Sequence, residues 1–125
     1  MIKPRPVYLN LVQIRLPLPG VVSILHRISG FAMLVVGIPV GLYALQQSLG
    51  SADAFASLKS LFANPLGKLV LIGLAWAYIH HFCAGIRFLL LDLDKGIELK
   101  PARQSSLIVL VVGITLTLIV AARLW

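Results

Sequence analysis

Three stretches of the chain contain no Asp, Glu, Lys or Arg: residues 28–52, 69–86 and 104–122, which are 25, 18 and 19 residues long. A helix rising about 1.5 Å per residue needs roughly 20 residues to cross about 30 Å of hydrocarbon, so the stretches have the length of membrane spans. They are apolar on every face, whereas the strands of a membrane barrel alternate apolar and polar residues. The expected fold is an all-α membrane protein with three transmembrane helices, at about 21–49, 65–91 and 103–124, preceded by an arm over residues 1–20. Composition agrees, with 59% hydrophobic and 12% charged residues against roughly 45–50% and about 25% in soluble domains. Soluble enzymes and disordered tails are thereby set aside. The net charge of +7 rests on 11 Lys and Arg spread thinly rather than gathered into a stripe, so no nucleic-acid partner is expected.

The cations instead predict orientation. Lys3, Arg5, Arg15, Arg27, Arg87, Lys95, Lys100 and Arg103 fall on one side, and Lys59, Lys68 and Arg123 on the other. By the positive-inside rule this eight-to-three division puts the N-terminus and the second loop in the cytoplasm and the C-terminus in the periplasm. The amino end, MIKPRPVYLNL, lacks the apolar core and cleavage pattern of a secretory signal and the Arg- and Ser-rich character of a transit peptide. A bacterial inner membrane is the expected location. Cys83 is the only cysteine, which excludes a disulfide framework or a cysteine-based metal site within the chain.

Proline and glycine punctuate these spans. Pro4, Pro6, Pro17, Pro19 and Gly20 predict a non-helical cytoplasmic arm that meets the membrane at about Val21. Pro39, set between Gly37 and Gly41, predicts a kink and a small-residue face open to close packing. Ala54, Phe55, Leu58, Leu61 and Phe62 recur at helical spacing, as expected of a short helix in the outer interface. Asn64 followed by Pro65 is a cap and first-turn pair that starts the second span. Asp92, Asp94, Lys95, Gly96 and Glu98 form a solvated turn, Pro101 marks the entry to the third span, and Arg123 and Trp125 anchor its outer end.

A charge at the bilayer centre costs at least about 2.5–3.5 kcal/mol, so polar groups inside spans point to function. Ser23, His26, Arg27 and Gly30 have spacings that put them on one face of the first helix. A hydroxyl, an imidazole and a guanidinium there suit an anionic or carbonyl-bearing ligand, although an interfacial arginine snorkelling beside a solvated histidine accounts for them too. The second cluster is His80, His81 and Arg87. Arg87 lies about 6 Å from Leu91 along the helix, within snorkelling range, whereas His81 lies about 15 Å from it. His81 fits either an interhelical hydrogen bond or metal ligation. Ala77, Ala84 and Gly85 predict a flat recess beside it, large enough for a planar macrocycle, and His80 faces Trp76 and Cys83. If haem is bound, His81 is the expected axial ligand, its other ring nitrogen donating to a backbone carbonyl such as that of Ala77. His26 and Arg27 then supply counter-charge to the propionates, and a second axial ligand has to come from another subunit.

RPVYLNL at positions 5–11, SILHRISG at 23–30 and HFCAGIRFLLLD at 81–92 together resemble the signatures of the cytochrome b subunit of succinate dehydrogenase, the larger membrane anchor of respiratory complex II. Leu91 stands where that family usually carries an aromatic residue or Met, and the glycine that normally follows the Asp closely is delayed to Gly96. The resemblance implies that His81 is a haem b ligand, with the other ligand in a second hydrophobic, three-helix anchor subunit. It implies further that Ser23 and Arg27 line a ubiquinone site and that His26 and Arg27 lie near the haem propionates. Flavoprotein and iron–sulfur subunits, carrying FAD and iron–sulfur clusters, would deliver electrons from succinate to ubiquinone. Asp92 fits proton delivery to the quinone and equally a helix-end charge. Two other readings stand beside this one: the anchor of a quinol:fumarate reductase, and a structural or transporter-type subunit without haem.

Overall fold

A computed structural model of the chain describes residues 14–125. Lys3, Arg5, the RPVYLNL motif and most of the expected arm lie outside the described residues. The elements, in order, are α1 (Leu18–Ala32), a π-helical turn (Met33–Gly37), α2 (Ile38–Gly50), α3 (Ala52–Ala63), α4 (Pro65–Asp92) and α5 (Leu99–Leu124). α1, the π turn and α2 form one continuous rod, so among the described residues three helices are long and apolar enough to cross a membrane: Leu18–Gly50, Pro65–Asp92 and Leu99–Leu124.

The first and third spans begin three and four residues earlier than their prolines suggested. Pro17 caps α1 in an extended conformation, and its carbonyl accepts from the N–H of Gly20 at 2.8 Å and of Val21 at 3.2 Å. Pro19 and Pro101 are simply absorbed into the first turns of α1 and α5, where a missing N–H removes a donor that has no intrahelical partner anyway. Pro39 acts differently. It has no N–H for the carbonyl four residues back, and the ladder widens immediately before it, with the N–H of Ile38 reaching back five residues to the Met33 carbonyl.

Beyond that wide turn the rod leaves the bundle. α1 approaches both α4 and α5, whereas α2 comes close only to α3. Two gaps follow the divergence, one of 300 Å³ bounded by Met33, Gly37 and Leu74 and one of 210 Å³ bounded by Val40, Tyr43 and Val70. A Cβ on Gly37 would touch Leu74 at 3.6 Å, while one on Gly41 would meet nothing within 4 Å. Only the first glycine of the pair therefore meets another helix of this chain.

α3 and α4 are capped by side chains. Ser51 Oγ accepts from the Ala54 N–H at 3.1 Å and Asn64 Oδ1 from the Gly67 N–H at 2.9 Å. Asn64 Nδ2 also donates to the Leu61 carbonyl, tying the end of α3 to the start of α4. A Cβ on Gly67 would collide with that same carbonyl, so the turn closes only around glycine. Lys68 Nζ lies 5.1 Å from the Trp125 ring centroid, joining the first turn of α4 to the end of α5. At the opposite end, Asp94 takes a left-handed φ of 57°. That conformation is one which Asp tolerates better than most residues.

Where the three spans meet, Val22, Ala84 and Val109 form the apolar centre. The other buried residues of the spans include the small Ala77 and Gly113 and five polar ones: Ser29, His80, Arg87, Ser106 and Thr117. Ser106 and Thr117 donate to the carbonyls of Ala102 and Gly113 one turn back, each at 2.7 Å, so their hydroxyls are satisfied within α5 itself. The large apolar side chains point outward, as lipid permits. Gly67→Ala is expected to destabilise the assembled protein by about 1–3 kcal/mol through overpacking, and Asn64→Ala by about 1 kcal/mol through loss of the cap. Both losses would be read as lowered thermal midpoints in detergent, and an unchanged midpoint for Gly67→Ala would contradict the close α3–α4 turn.

Candidate functional site

The polar residues of the first and second spans converge on one turn of α1. His81 Nδ1 lies 2.9 Å from the His26 carbonyl and 3.3 Å from Ser29 Oγ. A carbonyl can only accept, so Nδ1 carries the proton and donates it. Ser29, fully buried, donates its own hydroxyl to the same carbonyl at 2.9 Å. Two side-chain donors thus converge on one backbone oxygen, which fixes the tautomer and the orientation of the ring. Among the described residues no group of the chain engages Nε2, so its lone pair remains available to a ligand or metal.

Glycine makes this seat possible. A Cβ on Gly30 would come within 2.8 Å of His81 Cε1 and 3.2 Å of Nδ1, so any larger residue forces α1 away from the imidazole. The His26 ring stacks on the His81 ring, with centroids 4.0 Å apart and 13° between planes. Its outer neighbours are Phe88, at 5.1 Å between centroids, and Gly85, whose Cβ would lie 3.7 Å from His26 Nε2.

Several expectations change here. The carbonyl that accepts from His81 belongs to His26 on α1 and not to Ala77 on α4. Ala77 and Ala84 do not leave an open recess beside His81, because both are buried, Ala84 against Val22 and Val109. The small residue against the imidazole is Gly30. Ser29 was not singled out from the sequence, although a hydroxyl three residues after His26 in an apolar span was the available signal.

The other candidate residues are placed as follows. Ser23 is half-buried and Arg27 exposed, and Arg27 Nε donates to the Ser23 carbonyl at 3.3 Å, which holds the two side chains one turn apart on α1. Asp92 is the exposed last residue of α4. His80 is 1% exposed, stacks on Trp76 with centroids 5.3 Å apart, and its Nε2 is buried without a partner among the described residues. It points away from His81 into the seam with α5, where a Cβ on Gly113 would lie 3.8 Å from its Nδ1. Among the described residues no three His, Cys, Asp or Glu side chains are grouped to hold a metal ion. His81 can supply one ligand, and neither His26, parallel to it, nor His80 can supply the opposite one.

Arg87 departs most from expectation. It does not snorkel but is 5% exposed, buried between α4 and α5. Its Nε donates to Ser105 Oγ at 3.0 Å and its Nη2 to the Ala102 carbonyl at 3.4 Å.

Comparison with known proteins gives this arrangement its context. The profile of the succinate dehydrogenase/fumarate reductase transmembrane subunit matches residues 1–120. The chain belongs to that family. It is 39% identical over 102 residues to the succinate dehydrogenase cytochrome b556 subunit of Paracoccus denitrificans, covering 82% of this chain and 78% of the relative. With the subunit of the same name from Coxiella burnetii it shares 33% identity over 122 residues, covering 97% of each. The mitochondrial cytochrome b560 subunit of Sus scrofa is 31% identical over 111 residues, covering 88% of this chain and 66% of the relative. The protein is thus a membrane-anchor subunit of the succinate dehydrogenase cytochrome b family, the anchor type of complex II.

Proposed function

We propose that the chain contributes one axial ligand, His81, to a haem b and helps to form the ubiquinone-reduction site of a succinate:ubiquinone oxidoreductase. The observation that carries this reading is the seat of His81. An imidazole deep in a membrane span has its Nδ1 held by a carbonyl and a buried serine while no group among the described residues engages Nε2, the arrangement expected of a histidine that ligates a metal through Nε2. When bound, haem b stores and passes on single electrons. The chain's own residues fit that group, with His81 to hold the iron, and His26 and Arg27 to meet the propionates. A further ligand to the haem would come from a second hydrophobic anchor subunit, and flavoprotein and iron–sulfur subunits would complete the complex. The cation distribution supports a cytoplasmic N-terminus and a periplasmic C-terminus in the bacterial inner membrane.

The quinone chemistry falls to α1. Ser23 donates a hydrogen bond to a quinone carbonyl and fixes the orientation of the ring. Arg27 keeps its terminal nitrogens free, because only Nε is committed to the Ser23 carbonyl, and it stabilises negative charge that develops on the quinone oxygens as electrons arrive. Reduction to quinol consumes two electrons and two protons, and the exposure of Asp92 at the end of α4 supports a role for it in proton delivery.

His81→Ala is expected to abolish or strongly alter the b-type absorbance of the purified complex, and an unchanged spectrum would refute the ligand assignment. Gly30→Ala, which leaves every ligand in place but crowds the imidazole, is expected to lower haem retention about tenfold or more. Ser23→Ala and Arg27→Leu are each expected to reduce kcat/KM for ubiquinone about 10²-fold while electron transfer from succinate to a soluble dye persists. Equal loss of both activities would assign these residues to assembly instead.

A further inference from the structure

The seam between α4 and α5 holds a cation that the anchor and quinone chemistry does not use. The guanidinium of Arg87 presents five donors, and both groups that accept from it, Ser105 Oγ and the Ala102 carbonyl, are neutral. The contact to the carbonyl is long, at 3.4 Å, and Ser105 also donates to that oxygen, at 3.2 Å. The Phe88 ring, with its centroid 5.4 Å from Cζ, completes the surroundings. The carboxylates nearest in sequence, Asp92 at the end of α4 and Asp94 and Glu98 beyond it, are exposed, and none lines the adjoining cavity. A guanidinium withdrawn from water without a counter-charge carries a penalty of several kcal/mol, which an anion bound beside it removes.

A groove of 430 Å³ runs alongside this cation, within the size range of small-molecule sites. Its chemistry changes along its length. At the α4–α5 turn it is bordered by Lys95, Gly96 and Pro101, with Arg87 and Ser105 just inside. Deeper in the span its walls are Ile86, Ile108 and Val109. Arg87 lies five residues, about 7.5 Å, from the end of α4, so a headgroup that enters the groove at the α4–α5 turn has only that short distance to cover. Arg pairs with a phosphate through two parallel hydrogen bonds, and a basic pocket between transmembrane helices suits an anionic headgroup.

We propose that this groove is a binding site for one anionic phospholipid. Arg87, Lys95 and Ser105 receive the phosphate, and Ile86, Leu90 and Ile108 receive the first part of an acyl chain. Two cations against a single phosphate favour a headgroup with net negative charge over a zwitterionic one. The apolar walls favour a lipid over a free phosphate, which would leave them wet. The site is separate from Ser23, Arg27 and His81, and it requires only that the chain sit in a membrane.

The test uses the complete complex, stripped of lipid in detergent and titrated with dioleoyl-phosphatidylglycerol or dioleoyl-phosphatidylcholine. Bound lipid is counted by native mass spectrometry, and succinate-to-dye activity confirms assembly. Phosphatidylglycerol is expected to bind at one copy per complex, at least tenfold more tightly than phosphatidylcholine, and an equal concentration of inorganic phosphate is expected not to displace it. Arg87→Gln should weaken this binding about tenfold. Should that variant fail to assemble, Lys95→Gln and Ile108→Trp test the same site, since Lys95 and Ile108 are exposed. Lys95→Gln should erase the preference between the lipids, and Ile108→Trp should block both. Equal binding of the two lipids to the wild type, displacement by phosphate, or unchanged phosphatidylglycerol binding in the Lys95 and Ile108 variants would overturn the proposal.

Discussion

Inside lipid, a polar group that finds no partner within the protein has none, and this constraint organises the whole chain. The residues that meet at the helix seams are largely polar, and each seam is closed by a hydrogen bond or a small residue. α4 is joined to α1 by the His81 bond to the His26 carbonyl and to α5 by the Arg87 bond to Ser105. Between these two links lies a thin apolar centre of Val22, Ala84 and Val109. Apolar burial offers little preference for association in hydrocarbon, because lipid tails are as apolar as leucine. Close packing and the polar links therefore fix which faces of the helices meet.

The same constraint explains why the bundle is tight at one end and loose at the other. The half containing Ser29, Gly30, His81 and Arg87 has α1, α4 and α5 in mutual contact. In the other half the π turn before Pro39 sends α2 outward, and gaps open between it and α4. Ser29, His81 and Arg87 find partners where the three helices approach one another, and the start of the diverging α2 carries apolar side chains that lipid accepts. A subunit of this family works within an assembly, and a rod that leaves its own bundle is compatible with contacts beyond this chain.

Much of this was legible in the sequence because lipid imposes simple rules. The three charge-free stretches located the spans, and Asn64–Pro65 marked the start of α4 to the residue. The ends near Pro19 and Pro101 were misplaced because a proline in a first turn breaks no hydrogen bond, so it is a weaker stop signal than a proline further in. Arg87 was misread for a different reason. Distance from a helix end measures depth, but rotational position decides whether a side chain reaches water or a neighbouring helix. The Ser105 that receives Arg87 lies 18 residues away in another span. The partner of His81 escaped in the same way, since a rule based on one helix proposes the Ala77 carbonyl, whereas Gly30 brings the backbone of α1 into reach.

Ser29 shows what spacing alone cannot weigh. A serine in a membrane helix often bonds only to its own backbone, as Ser106 does, and such a residue says nothing about function. Ser29 makes that local bond as well, to the His26 carbonyl, and only its spacing from His26 sets it apart from Ser106 in the sequence. The difference is an imidazole 52 residues away that meets the same oxygen. Because the carbonyl receives both donors, the local bond of the serine becomes part of the support for a distant histidine. A polar residue in this fold therefore acquires its role from the helix across the seam.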